Sequence, residues 1–295
     1  MERHVRLSEL LIGTEGLALL RSLYDGSDED AAARLDEVRA ILNADGDGDV
    51  DGDADGVGDH AHDATEPIAE ADPRAGYAAW SASYDEPGNP IVALEQPAVW
   101  GLIDELPAGR AFDAACGTGR HAARLATLGH DVDGVDLTPE MLAIARVNVP
   151  GAGFREADLR AIPSGDAAYQ LVVCGLALAH VPELAAAVAE LSRVLASGGR
   201  LIVSVLHPFL AMLGWQAPFT GADGRRGFVR EYAHTHADYL VALRAAGLTL
   251  EQLIEPRLSA TQMPAKRRAS RAIPDATVQA YAGLPAVLVL GAVKP

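Results

Sequence analysis

Gly117 and Gly119 lie in the stretch FDAACGTGRHAARL, residues 112–125, between an apolar run and an alanine-rich helical pattern. A Gly-x-Gly turn in that setting lets backbone N–H groups come close to a nucleotide. A dinucleotide-binding turn carries a third glycine for close helix–strand packing. Here Arg120, His121, Ala122 and Ala123 follow instead, and no Gly-Lys-Ser/Thr of a triphosphate loop is present. About 20 residues past the glycines, Asp136 closes the next apolar run in DVDGVDLTPEML. A carboxylate at that point can accept hydrogen bonds from both hydroxyls of a ribose. Asp158, in READLRAIP, closes the run after that, where an adenine amino group can be read. A glycine turn and two acids at three successive strand ends fit an adenosine ligand without a phosphate chain.

Those residues need a scaffold that brings strand ends together. Apolar runs at 110–115, 131–136, 152–156, 169–174, 200–206, 248–254 and 286–293 alternate with helical patterns at 91–106, 119–128, 139–147, 183–196 and 236–246. Near-continuous apolar strands alternating with helices predict an α/β fold with a mostly parallel sheet covered on both faces. Ligands of such sheets bind at the carboxyl ends of the strands. Residues 5–42 read as two short amphipathic helices, the second opened by a capping-box-like pair, Ser27 and Asp30. They are expected to dock on the main domain or on a second subunit.

The chain has 295 residues and a formal net charge of -17. Residues 43–76 alone contribute -10, so the folded remainder is only moderately acidic. This balance disfavours nucleic acid or an anionic membrane as a partner. Within the acidic run, Asp47, Asp49, Asp51 and Gly52 match half of a calcium loop, but the twelfth position is Gly58 rather than a bidentate Glu. A flexible acidic linker is the expectation there, and no metal site is predicted. Cys116 and Cys174 are too few for a disulfide framework and suit a reducing cytoplasm. Glu9 and Glu15 interrupt the first apolar stretch, so no secretory signal is read. The one basic cluster is KRRASR, residues 266–271, expected in an exposed loop.

The segment FDAACGTGRHAARLATLGHDVDGVDLTPEMLAIAR resembles the S-adenosylmethionine-binding core of class I methyltransferases. YQLVVCGLALAHVPEL and ELSRVLASGGRLIVSVLHP resemble the fourth and fifth strand motifs of the small-molecule, type 11-like branch. SASYDEP resembles its opening segment, and HTHADYLVALRAAGLTLEQLIEP its late helix and strand. The resemblance covers residues 77–295 and implies a Rossmann-like seven-stranded sheet of order 3-2-1-4-5-7-6, its last strand antiparallel, with helices on both faces. Residues 1–42 form a helical extension outside it, joined by the linker 43–76. One departure is Ala115, where the family usually has glycine.

The resemblance also implies roles. Gly117 and Gly119 would hold the methionine part of S-adenosylmethionine, with Asp113 orienting the turn or the cofactor amine. Cys116 would lie beside the cofactor as a small buried side chain. Asp136 would take the ribose, with Leu137 and Met141 flanking the adenine and Asp158 and Leu159 completing its pocket. Asp136 could also cap the helix that starts at Thr138-Pro139. Tyr84 would line the cofactor or acceptor site. His180 and His207 follow the fourth and fifth strands and could serve as base or acceptor-orienting group. The activity implied is methyl transfer to a small organic acceptor at O, N or C in the cytoplasm, with a homodimer possible through the N-terminal helices. The alternatives are a cofactor-binding regulatory or scaffold protein without transfer, and a nicotinamide oxidoreductase. Calorimetry separates the last from the others: S-adenosylmethionine and S-adenosylhomocysteine are expected to bind and NAD is not, whereas binding of NAD alone contradicts the reading of the glycine turn.

Overall fold

A computed structural model describes residues 2–46, 66–262 and 272–295. The half calcium loop and the KRRASR cluster fall outside those residues. In chain order the strands are β1 (Glu2–Val5), β2 (Glu66–Ala71), β3 (Arg110–Ala114), β4 (Asp131–Asp136), β5 (Gly153–Glu156), β6 (Tyr169–Gly175), β7 (Leu195–Leu206), β8 (Ala217–Thr220), β9 (Arg226–Val229), β10 (Thr249–Ile254) and β11 (Val287–Val293). The helices are α1 (Leu7–Ser22), α2 (Asp28–Gly46), α3 (Pro73–Trp80), α4 (Pro90–Asp104), α5 (Arg120–Thr127), α6 (Pro139–Asn148), α7 (Leu184–Val194), α8 (Pro208–Met212), α9 (His236–Ala245) and α10 (Pro274–Tyr281). The chain divides into two compact units.

The larger unit, Glu70–Pro87, Ile91–Pro256 and Pro285–Pro295, holds a seven-stranded sheet. Its order is β5-β4-β3-β6-β7-β11-β10, which is 3-2-1-4-5-7-6 when its strands are counted along the chain. β3, β4, β5, β6 and β7 pair in parallel, and β11 runs antiparallel to both β7 and β10. The predicted fold class and order are therefore observed. Burial explains the sequence pattern: Phe112, Val172, Val173, Val203 and Val289 are all buried, so the central strands read as apolar runs without alternation. The Phe112 ring packs against Tyr169 with centroids 4.8 Å apart. Among the sheet strands, one boundary differs from the prediction by more than one residue. The apolar run predicts a strand at 200–206, but β7 starts at Leu195 and takes in Ser197, Gly198 and Gly199. Its register against β6 jumps from Tyr169↔Leu195 to Leu171↔Arg200, so these residues form a bulge within the strand.

The smaller unit is Met1–Ala69, Gly88–Pro90 and Arg257–Leu284. Leu11 and Ala18 of α1, Ile41 of α2, and Ile273, Ala276 and Ala280 from the start and body of α10 form its core. Arg21 donates to the carbonyls of Gln279 and Ala280, groups left without helical partners at the end of α10. The expected capping pair at α2 is present: Asp30 N donates to Ser27 Oγ at 3.0 Å, and Ser27 N to the Asp30 carboxylate at 3.3 Å. Residues 257–284 group with these N-terminal helices. Regular structure also enters the predicted linker 43–76. α2 runs to Gly46, β2 covers Glu66–Ala71, and α3 begins at Pro73 with Asp72 accepting from Ala75 N.

The turn after β3 has three left-handed residues, Ala115 (φ +58°), Gly117 (φ +54°) and Gly119 (φ +88°). Glycine meets no penalty there, while a left-handed alanine costs roughly 1–2 kcal/mol. A methyl group at Gly119 would also stand 3.3 Å from Ala145 of α6. Ala115→Gly should therefore raise unfolding free energy by about 0.5–1 kcal/mol, after the entropy glycine adds to the unfolded chain. Urea denaturation checks this, and a loss of stability would contradict it.

Candidate functional site

The three left-handed residues turn the chain sharply at the carboxyl end of β3, so that α5 starts beneath the neighbouring strand ends. Asp136, at the end of β4, holds this turn. One carboxylate oxygen accepts from Gly117 N and the other from Thr138 N, each at 2.8 Å. Thr138 is the N-cap position of α6, so Asp136 joins the glycine turn to the start of that helix. Two hydrogen bonds leave a carboxylate with free lone pairs. Burial raises the Asp136 carboxyl above its ordinary pKa, partly offset by the Thr138 and Gly117 N–H groups. Beneath the turn, Asp113 accepts from Ala122 N at 2.8 Å, and its other oxygen is buried without a partner. Burial pushes Asp113 up to about 6, against the pull of His121.

A cavity of about 370 Å³ opens above these strand ends. Of the predicted residues, Tyr84, Gly117, Asp136, Leu137, Met141, Asp158, Leu159 and His180 line it. Asp113, Cys116, Gly119 and His207 are not in the wall. Asp113 and Gly119 act behind it, by fixing the turn and the start of α5. Cys116 and Cys174 are buried, and burial drives both thiols well above the ordinary range, which disfavours thiolate chemistry. Asp158 is held at both oxygens by Arg160, which lowers its pKa.

His180 is anchored at both ring nitrogens. Nδ1 lies 2.7 Å from the Arg230 carbonyl, which can only accept, so Nδ1 carries the proton. Nε2 of the neutral ring then accepts from the Tyr77 hydroxyl, 2.7 Å away. The Glu231 carboxylate stands 3.6 Å from Nε2, and burial raises its pKa while His180 opposes this. Tyr77 and Tyr84 are half-buried; desolvation of their hydroxyls moves Tyr77 well above 10 and Tyr84 to about 12. With Trp80 they form an aromatic cluster, ring centroids 5.2–6.0 Å apart. His207 is spent elsewhere: its Nδ1 accepts from Phe209 N at the start of α8, and its Nε2 faces Glu255 at 3.1 Å.

Sequence reading missed Tyr77, Glu231, Tyr232 and Glu95. The signal for Tyr77 was present, since Asp72-Pro73 is a capping residue followed by proline at the first helical position. No pattern marks Glu95, which lies on the apolar face of α4. It is fully buried and binds Arg120 (2.5 Å), His121 Nε2 (2.9 Å) and Ser204 Oγ (2.6 Å). Ser204 Oγ also accepts from Leu176 N at 3.2 Å. Leu176 is left-handed (φ +54°) and lines the cavity. A bulky side chain in that conformation is strained, and such strain collects where a ligand site needs a fixed backbone.

The pattern described as "Methyltransferase domain" matches residues 112–203. A demethylmenaquinone methyltransferase from Chlorobaculum parvum is 40% identical over 89 residues, 30% of this chain and 37% of that protein. A ubiquinone biosynthesis O-methyltransferase from Xanthomonas axonopodis pv. citri is 30% identical over 189 residues, 59% of this chain and 77% of that protein. The chain belongs to the class I S-adenosylmethionine-dependent methyltransferases, type 11-like. The curated relatives it matches are spanned unevenly, from 37% to 77% of their length. A solved S-adenosylmethionine-dependent methyltransferase from Mesorhizobium loti shares the fold, with TM-score 0.53 and 24% identity over 68% of this chain and 97% of that one. Among the described residues no helix is long and apolar enough to cross a membrane.

The residues present fit the family's cofactor, S-adenosylmethionine. A methyl group placed on Gly117 would meet no protein atom within 4 Å, so the backbone at this wall is open to a ligand. Asp136 offers lone pairs beside it, and Leu137, Met141 and Leu159 supply apolar walls.

Burial raises the Glu95 carboxyl, but its pairing with His121 and Arg120 outweighs this and holds it at about 2, below its ordinary 4.5. A depressed carboxylate adds stability in full above the unfolded pKa and loses it as pH falls through the folded one. The protein should therefore lose about 3 kcal/mol on this account between pH 5 and pH 2. Glu95→Ala should cost about 3–5 kcal/mol at pH 7, by stranding a buried cation, and should flatten that acid limb. Urea unfolding across pH reads both, and equal slopes in the two proteins would contradict the assignment.

Proposed function

We propose that the chain transfers a methyl group from S-adenosylmethionine to a small, flat phenolic or quinol-like acceptor. The observation that carries this reading is the layout of one cavity. The glycine turn with Asp136 forms one wall, and His180 with Tyr77 forms another. Two relatives named for quinone biosynthesis support the acceptor class. The aromatic side chains Tyr77, Tyr84 and Tyr232 supply surfaces on which a ring can stack.

When bound, S-adenosylmethionine supplies a methyl group already activated by the sulfonium charge. The protein's work is then to align the two reactants, exclude water and take up a proton. Gly117, with Asp113 fixing the turn from behind, would position the methionine end. Asp136 would accept from the ribose hydroxyls, and Leu137, Met141, Asp158 and Leu159 would enclose the adenine. Cys116 and Gly119 support that wall without facing the cavity. On the acceptor side, the proton released as the oxygen takes the methyl group passes to His180 Nε2 through the Tyr77 hydroxyl. The Arg230 carbonyl keeps the ring in the accepting tautomer, and Glu231 stabilises the imidazolium that forms. The raised pKa of Tyr77 suits a relay that stays protonated at rest.

Transfer of labelled methyl to a panel of phenols and quinols tests the proposal. The wild-type protein is expected to turn over at least one of them. His180→Gln should lower kcat by about 10²–10⁴ while leaving the Kd for S-adenosylmethionine unchanged. Full turnover in His180→Gln removes the base. Cofactor binding without transfer to any acceptor favours a regulatory protein instead.

A further inference from the structure

Three side chains outside the cavity form a separate constellation. His207 follows β7, His236 opens α9 and Glu255 follows β10. His207 Nε2 and His236 Nε2 lie 3.1 and 3.0 Å from the same oxygen, Glu255 Oε1. One ligand atom from each residue falls within 4.8 Å of the others. The two rings meet edge to face, with centroids 5.0 Å apart. His207 is buried, while His236 and Glu255 are about a third exposed, so the cluster opens to solvent on one side. In a tetrahedral zinc site, ligands at about 2.0–2.2 Å from the metal stand about 3.3 Å from one another. The two nitrogen–oxygen separations need only a few tenths of an ångström of relaxation, and the two nitrogens, within 4.8 Å of each other, would close on the shared ion.

We infer that His207, His236 and Glu255 form a binding site for a divalent transition-metal ion of the zinc class, with solvent completing the coordination. Two imidazoles and a carboxylate are a donor set that zinc accepts and that calcium or magnesium does not favour. Without the ion, each Nε2–H donates to the one carboxylate oxygen, which lowers the Glu255 pKa. On binding, each Nε2 gives its lone pair to the metal and the ring proton moves to Nδ1. For His207 this exchanges the bond from Phe209 N for the metal bond, so the site is linked to the cap of α8.

The site has a structural consequence. Tyr232 N donates to the Ala179 carbonyl, His234 Nε2 bonds the Val181 carbonyl, and His236 is a metal ligand two residues on. A bound ion would pin the end of the segment that carries Tyr232 into the cavity wall. The inference concerns metal binding alone and stands or falls independently of methyl transfer.

The test uses the full chain with Zn²⁺ by calorimetry and Co²⁺ by visible absorption. Wild-type protein should bind one ion with a d–d spectrum of low-coordinate cobalt and an upward shift in melting temperature. His236→Gln and Glu255→Gln should each weaken binding by about 100-fold and abolish that shift. The acidic run contains His60 and His62, so a His60→Ala/His62→Ala protein is included and should bind as the wild type does. Binding that survives His236→Gln within about twofold, or that vanishes with His60 and His62, overturns the assignment.

Discussion

The site depends first on a buried carboxylate that takes no part in its chemistry. Glu95 binds Arg120 and His121, the first two residues of α5, and through Ser204 it reaches the strained turn at Leu176. One side chain from α4 therefore fixes the loops after β3 and β6 together. Isolated, that charge could not remain buried. With three donors it becomes a rigid junction, and removing any one donor leaves the buried carboxylate short of a partner. The energetic gain over an apolar substitute is small in such networks; what they fix is geometry. Here the geometry is the relative placement of two turns on either side of one cavity.

Asp136 repeats the principle one strand further along. Its carboxylate closes the glycine turn against α6 through two backbone N–H groups and still has lone pairs to offer. The two readings of this residue, helix start or ribose acceptor, are therefore compatible: the bonds that start the helix leave lone pairs for the proposed ribose contact. His180 is locked in the same manner by a carbonyl on one nitrogen and a hydroxyl on the other. In each case at least one bond to the backbone fixes how the reactive-looking group is turned.

The strands were legible because burial on both faces writes nearly continuous apolar runs into β3, β6, β7 and β11, while their order was implied by the resemblance to the methyltransferase core. The glycine turn and Asp136 were legible because a left-handed backbone and a strand-end carboxylate leave fixed spacings. His180 was placed by its position after β6. Glu95 was invisible, since a lone acid on an apolar helix face has meaning only once its partners fold around it. Tyr77 was obscured because α3 begins inside a stretch whose acidity reads as linker. His207 was assigned to the acceptor side from its strand-end position. Position alone did not reveal that its ring caps α8 and faces Glu255. α10 was missed because its short apolar stripe makes sense only against α1.

In the proposed complex, one cavity orients the cofactor's adenosine through Asp136 and presents the reacting end toward His180 and Tyr77. A crystal structure of the chain with S-adenosylhomocysteine measures this directly. Both ribose hydroxyls are expected within hydrogen-bond distance of Asp136, with the sulfur facing the side of the cavity that holds Tyr77 and His180. A ribose bound away from Asp136, or a sulfur pointing away from His180, would contradict it.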